Sequence, residues 1–144
     1  MNKPNLSIVI PTYNERENIS KMLGKLKNSL RNFKYEVIFV DDNSPDGTSD
    51  EVKLFMEKSP NVHLIHRIGR RGLSGAIIEG IFASNSSLVG VIDCDLQHDE
   101  TKLREMLALF KQNKSLDLVI GSRFTDNGEI LDGAFSKFRE LGSK

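Results

Sequence analysis

Five short, largely apolar runs, Leu6 to Pro11, Tyr35 to Asp41, Val62 to His66, Leu88 to Asp93 and Asp117 to Gly121, alternate with stretches of helical periodicity. That alternation is the strongest constraint on the fold. Short apolar runs without a polar face suit strands covered on both sides, and the intervening helices supply crossovers. The pattern therefore predicts an α/β fold whose largely parallel sheet carries helices on both faces. The first helix follows from Ile19, Met22, Leu23, Leu26 and Leu30, with Asn14 and Glu17 as a candidate capping box. Thr48 and Glu51 offer a second capping box, for a helix expected to bury Val52, Phe55 and Met56 and to end at Pro60. A third helix is expected from about Leu73 to Ala83, and a fourth from about Asp99 to Lys111 with Leu103, Met106, Leu107 and Phe110 inward. Beyond Phe124 the pattern fades into a turn at Thr125 to Gly128 and a short helix at Phe135 to Leu141.

At 144 residues the chain makes one domain with a real core. Twenty basic residues balance twenty acidic ones, so no overall field favours nucleic acid or an anionic membrane. A lone cysteine, Cys94, excludes an internal disulfide and fits a reducing, cytoplasmic setting. The N-terminus shows no signal-peptide pattern, and no run approaches the roughly 18 apolar residues that span a bilayer. The expectation is a soluble chain, or one resting against the cytoplasmic face of a membrane.

Polar clusters follow each apolar run: Thr12 to Glu15, Asp41 to Ser44, Arg67 to Arg71, Asp93 to Gln97, and Ser122 with Arg123. In an open α/β sheet, ligands bind beyond the carboxyl ends of the strands, where strand order reverses. Five clusters at one edge predict one site. Asp93 and Asp95 lie one residue apart at the end of an extended run, which period-two alternation would turn to the same side, with Gln97 in register. Such hard oxygen donors suit Mg²⁺ or Mn²⁺ holding a diphosphate. An Asp pair at a strand-to-helix junction can also cap the helix, but here Asp99 is available for that.

The other clusters divide similarly. Ser44 to Thr48 reads as a turn and cap, whereas the adjacent carboxylates Asp41 and Asp42 ask for more, and Asp42 is a candidate hydrogen-bond acceptor for a nucleotide. Tyr13 and Glu15 either leave the strand for the helix or flank a base or ribose. Arg67, Arg70, Arg71, Lys102 and Arg104 read first as solvated charge, with Arg70 or Arg71 able to reach a diphosphate. Arg123 carries a planar fork suited to phosphate oxygens. His63 and His66 read as structural, and His98 sits beside the metal candidates. Cys94 reads as a small packing residue whose thiol neighbouring carboxylates would keep protonated.

Together these motifs resemble family-2 glycosyltransferases of the GT-A fold, in particular the dolichol- and polyprenol-phosphate mannosyltransferases. The resemblance is carried by Pro11 to Asn18, Val40 to Thr48, Gly72-Leu73-Ser74, Asp93 to His98 and Gly121 to Phe124, all in family order. Cys94 stands where an alanine is usual, and His98-Asp99-Glu100 where a proline is frequent. The resemblance implies donor contacts from Pro11, Tyr13, Glu15, Val40 and Asp42. It implies that Asp93, Cys94 and Asp95 line the diphosphate and sugar, that Asp95 and Gln97 ligate Mg²⁺ or Mn²⁺, and that Arg123 meets phosphate, with Asp95 and Arg123 catalytic. The implied reaction is an inverting transfer from a nucleotide-sugar donor, foremost GDP-mannose, to a polyprenyl or dolichyl phosphate acceptor. A UDP-sugar such as UDP-glucose, a glycan acceptor, or a nucleotide-sugar-binding module acting without turnover or as a partner subunit are the alternatives. Family members continue past the Ser-Arg motif, so the resemblance implies a domain cut short on its C-terminal side: residues 1–144 would form the donor half. A dinucleotide-binding domain is excluded, because Pro11-Thr12-Tyr13 occupies the place of a glycine-rich turn.

Overall fold

The computed structural model describes residues 3–121. The chain divides into two compact units, the first ending at Leu103 and the second beginning at Arg104. The elements run β1 (Leu6–Thr12), α1 (Arg16–Ser29), β2 (Tyr35–Asp41), α2 (Thr48–Met56), β3 (Val62–His66), α3 (Leu73–Ala83), β4 (Val89–Val91) and α4 (Lys102–Gln112). All four strands are parallel, in the order β3-β2-β1-β4.

Strand order decides which helix covers which face. From β1 to β2 to β3 the chain steps in one direction, so right-handed crossovers put α1 and α2 on the same side. From β3 it returns past β2 and β1 to β4, and the same handedness puts α3 on the opposite side. Val9, Ile38, Val40 and Ala76 pack together under α3 with Ile65 against them. On the other face Ile8, Ile10, Val37 and Phe39 are wholly buried, as are Ile19 and Leu26 of α1 and Val52 of α2.

Pro11 lies inside β1, a strand paired on both sides, where a missing N–H normally costs a ladder bond. Odd-numbered residues of β1 face β4, since Ser7 N–H donates to Leu88 and the Val9 carbonyl accepts from Ile92. That ladder has ended by position 11, so Pro11 forfeits nothing. Glu36 is buried at the opposite edge of the sheet, where it accepts from the Ser7 hydroxyl at 2.5 Å and the Asn85 N–H at 2.9 Å. His63 lies 3.5 Å from its second oxygen, a structural role as expected. Burial pushes the Glu36 pKa up, but these hydrogen bonds and His63 outweigh it and hold it below the usual carboxylate range.

Several expectations need correction. Asn14 and Glu17 form no capping box: Asn14 is left-handed at φ 59°, and Glu15 precedes the helix without a side-chain cap. The N–H groups leading into α1 and that of its first residue are satisfied instead by the β2–α2 loop and the first residue of α2. Asn14 N–H donates to Ser44 Oγ at 2.9 Å, Glu15 N–H to Thr48 Oγ1 at 3.0 Å and Arg16 N–H to Asp46 Oδ2 at 3.1 Å. Thr48 is itself helical, so Asp46 takes over the cap expected of it, accepting from the N–H and hydroxyl of Thr48. The helix α2 stops at Met56, ahead of Pro60, and Met56 is exposed because only Val52 of this face reaches the core. The fourth strand is shorter than the apolar run, with Val89 and Val91 exposed rather than covered. Residues 117–121 form no strand: β propensity becomes a strand only when a ladder partner is met, and none pairs with them among the described residues. Leu118 and Ile120 stay exposed there. The expected turn at Thr125 to Gly128 and helix at Phe135 to Leu141 lie outside the described residues.

Two helical glycines make a matched test. A Cβ on Gly80 would meet Val9 Cγ1 at 2.3 Å and Val40 Cγ2 at 3.1 Å, whereas one on Gly24 would meet nothing within 4 Å. Helix propensity favours alanine at both by about 1 kcal/mol, but overpacking a core costs about 1–3 kcal/mol. Urea denaturation should therefore show Gly24→Ala stabilised and Gly80→Ala destabilised.

Candidate active site

The reversal of strand order lies between β1 and β4, which places the expected ligand crevice between their carboxyl ends. Four of the five predicted polar clusters meet along that edge. Thr12 Oγ1 donates to Asp41 Oδ1 at 3.1 Å, Arg67 N–H to the Asp41 carbonyl at 2.8 Å, and Arg71 Nη1 to Tyr13 Oη at 3.3 Å. The Cys94 thiol feels the carboxylates of Glu15, Asp95 and Asp93, which joins the ends of β1 and β4. The fifth cluster, Ser122 with Arg123, lies outside the described residues. Every non-glycine residue with positive φ among the described residues follows one of these strands: Asn14 after β1, Asn43 after β2 and Leu96 after β4. Backbone strain of this sort concentrates where loop shape is over-determined.

The adjacent carboxylates Asp41 and Asp42 have different fates. Asp41 is completely buried and fully hydrogen-bonded, accepting from Thr12 Oγ1, from Ser44 N–H and Oγ, and from Ser49 Oγ at 2.7 Å. It is structural. Asp42 accepts from Arg67 Nη1 at 2.5 Å through one oxygen and from Gly72 N–H at 2.6 Å through the other. A carboxylate offers about four acceptor sites, so capacity for a ligand is left.

Arg67 corrects the expectation of solvated charge. It is only 3 % exposed, and besides Asp42 it donates to the Gly72 carbonyl at 3.1 Å and, through Nε, to Glu79 at 3.0 Å. The signal was present in the sequence: two adjacent acids at the end of a buried strand require a cation, and Arg67 leaves the neighbouring strand at the same level. Arg70 is drawn away from any diphosphate into a two-armed contact with Glu79, at 2.8 and 2.7 Å. Arg71 lies 4.8 Å from the centre of the half-exposed Tyr13 ring, a cation–π contact. Gly72, part of the Gly72-Leu73-Ser74 motif, serves the site's framework through its backbone. Glu79 belongs to the same framework and was not singled out from sequence, since α3 reads there as apolar periodicity alone.

Of the other predicted donor residues, Glu15 is half-buried and accepts from Asn18 Nδ2 at 2.6 Å. Pro11 and Val40 are buried ladder partners. The Val40 side chain packs under α3 with Val9, Ile38 and Ala76.

The Asp93 to Gln97 segment departs from the extended geometry that alternation assumed. The backbone turns at Cys94 and Asp95, and Leu96 is left-handed at φ 62°. Asp93 pairs with His98 Nε2 at 3.2 Å, and Asp95 Oδ1 accepts the Gln97 N–H at 3.0 Å. Asp99 leads into α4 by accepting from Thr101 N–H and Oγ1, so the capping work does fall to it. No group of three His, Cys, Asp or Glu side chains converges as a metal cage among the described residues. The donor set nevertheless fits Mg²⁺ or Mn²⁺, which take one or two protein carboxylates and leave other positions to water and phosphate. Asp93 and Asp95 are half-buried and Gln97 is exposed, so their oxygens can be approached from solvent.

A model of the family described as "Glycosyl transferase family 2" matches residues 7–141. The chain belongs to this family. It is 36 % identical over 139 residues to a dolichol-phosphate mannosyltransferase of Pyrococcus furiosus, covering 96 % of this chain and 38 % of that one. It is 34 % identical over 132 residues to an undecaprenyl-phosphate mannosyltransferase of Micrococcus luteus, covering 90 % and 52 %. Among solved structures it is similar to a mannosyltransferase from Pyrobaculum calidifontis in complex with GDP-Man and Mn²⁺. That match has a TM-score of 0.64 and 26 % identity, over 76 % of this chain and 33 % of that one. The α/β fold expected from the resemblance is the one observed, and this family-2 chain spans about two-fifths to half the length of these two relatives.

Two measurements test the site's electrostatics. Burial, then the carboxylates of Glu15, Asp95 and Asp93, push the Cys94 thiol up to about 12. Iodoacetamide at pH 8 should barely label the native chain and should label it readily in denaturing urea. The Glu79 carboxyl is held down to about 2, chiefly by Arg70; burial opposes this and Arg67 adds to it. Its contribution to stability is thus complete above about pH 4.5 and lost as pH falls toward 2. The gap in urea midpoint between the wild type and Glu79→Gln should be widest near neutral pH and close in acid.

Proposed function

We propose that this chain is the donor-binding half of an inverting glycosyltransferase that moves mannose from GDP-mannose to a polyprenyl or dolichyl phosphate. The observation that carries the reading is the meeting of the β1, β2, β3 and β4 loops at the point where strand order reverses, with Asp95 and Gln97 at its β4 side. The similarity to two lipid-phosphate mannosyltransferases supports the sugar and the acceptor class.

In this reading Tyr13 and Glu15 flank the base or ribose, and Asp42 accepts a hydrogen bond from the nucleoside. Asp93 and Cys94 border the sugar and diphosphate, and Arg123 meets phosphate oxygens. Asp95 and Gln97 would hold Mg²⁺ or Mn²⁺, which when bound supplies Lewis-acid stabilisation of the departing diphosphate. An oxygen of the lipid phosphate attacks the anomeric carbon, the bond from that carbon to the diphosphate breaks, and GDP leaves with the electron pair. The attacking oxygen is already anionic, because a phosphate monoester has its second pKa near 6, so a dedicated general base is less necessary than for a hydroxyl acceptor. The guanidinium of Arg123 balances the charge gathering on the leaving group. The acceptor class brings the reaction to a membrane surface; no helix among the described residues is long and apolar enough to cross one.

Titration calorimetry tests the reading. The chain should bind GDP-mannose more tightly with Mn²⁺ than without. Asp95→Ala should weaken the Mn²⁺-supported binding at least tenfold, about 1.4 kcal/mol, with little change in Tm because Asp95 is only half-buried. Absence of binding, or binding indifferent to Asp95→Ala, would overturn it. Mannosyl-lipid formation on adding a polyprenyl phosphate separates a transferase from a module that binds without turnover.

A further inference from the structure

Tyr13 and Asp42, two of the three side chains expected to meet the nucleoside, sit on different loops and share no hydrogen bond. Both are tied to the segment that leaves β3. Asp42 Oδ1 takes Arg67 Nη1, the same nitrogen donates to the Gly72 carbonyl, and Gly72 N–H returns to Asp42 Oδ2. This closed ring pins both ends of residues 67–72 to the end of β2. The loop bends through Gly69 at φ 74° and closes at Gly72 with φ 124°, conformations glycine allows. The loop then delivers Arg71 onto the ring and hydroxyl of Tyr13. Glu79 braces the outside, gripping Arg67 and Arg70 together. Room for the buried guanidinium is made by Gly75, where a Cβ would stand 2.6 Å from Arg67 Nη2.

From this arrangement we infer that Arg67 is a positioning residue for the donor's nucleoside: through Asp42 and the 67–72 loop it joins Tyr13 and Asp42 into one preformed wall. It touches no substrate itself. The inference rests on the donor-site reading above and adds a division of labour to it. Arg67 serves the base side, and the diphosphate side is held separately by the residues after β4.

That division makes the test specific. Binding of GDP and of inorganic pyrophosphate, each with Mn²⁺, is measured by calorimetry on the wild type, Arg67→Lys, Gly75→Ala, Arg71→Ala and the double variant Arg67→Lys/Arg71→Ala, with Tm recorded for each. Lysine keeps the charge but loses the fork that spans Asp42 and Gly72. Gly75→Ala keeps Arg67 and should keep the helix, while pushing the flexible end of the guanidinium aside, so it carries the test if Arg67→Lys does not fold. The expected result is GDP affinity reduced at least fivefold in Arg67→Lys and Gly75→Ala, with pyrophosphate affinity unchanged. The double variant should bind GDP no more weakly than the weaker of its two single variants, because a released loop no longer holds Arg71 on Tyr13. Unchanged GDP affinity in the folded variants, equal losses for GDP and pyrophosphate, or fully additive losses in the double variant would overturn the inference while leaving the donor-site reading intact. A wild type that binds neither ligand would sink both.

Discussion

Handedness is the constraint on which everything else rests. Parallel strands joined by helices can be connected in only one sense, so the single reversal after β3 decides that α3 faces away from α1 and α2. It also leaves a crevice beyond the carboxyl ends of the paired strands β1 and β4, where no crossover passes over the strand ends. Nothing in the polar loops creates that opening. They occupy a place that topology has already made, and the apolar runs supply the topology.

Charge is then handled in two ways along this edge. At Asp41 the protein surrounds a buried carboxylate with three hydroxyls and one backbone N–H. At Asp42 it uses a guanidinium and one backbone N–H. Desolvating a pair of opposite charges is often no better than an apolar contact of equal volume, whereas removing one partner costs about 3–5 kcal/mol. The Asp42–Arg67 pair is thus better understood as fixing a shape than as adding stability. A shape fixed at the base of a loop is what a binding surface requires.

Much of this was legible in the sequence, for reasons that also mark where reading stopped. The strands β1, β2 and β3 and the helix α3 agree with the apolar runs because each is set by local periodicity, and each of the three strands meets a full ladder partner. The fourth and fifth runs misled because periodicity reports a side chain's preference and not whether a ladder is available. The cap of α1 misled because its acceptors come from another loop, beyond the reach of any local motif. Asp93 and Asp95 were found by spacing, yet the extended geometry assumed for them ends at Cys94, and only the left-handed Leu96 reveals the turn. Arg67 was discounted because an arginine among arginines looks solvated; what distinguishes it is two acids more than twenty positions earlier.

The start of α1 has an implication for how the chain is made. The amides of Asn14 and Glu15, which lead into it, and of Arg16, its first residue, bond to Ser44, Thr48 and Asp46, some thirty positions downstream. During synthesis from the N-terminus, those acceptors are still inside the ribosome when residues 14–16 emerge. The entry to the first helix therefore lacks these acceptors until the second strand and its loop have left the exit tunnel, so that the earliest helix to appear is capped only after later segments have joined it.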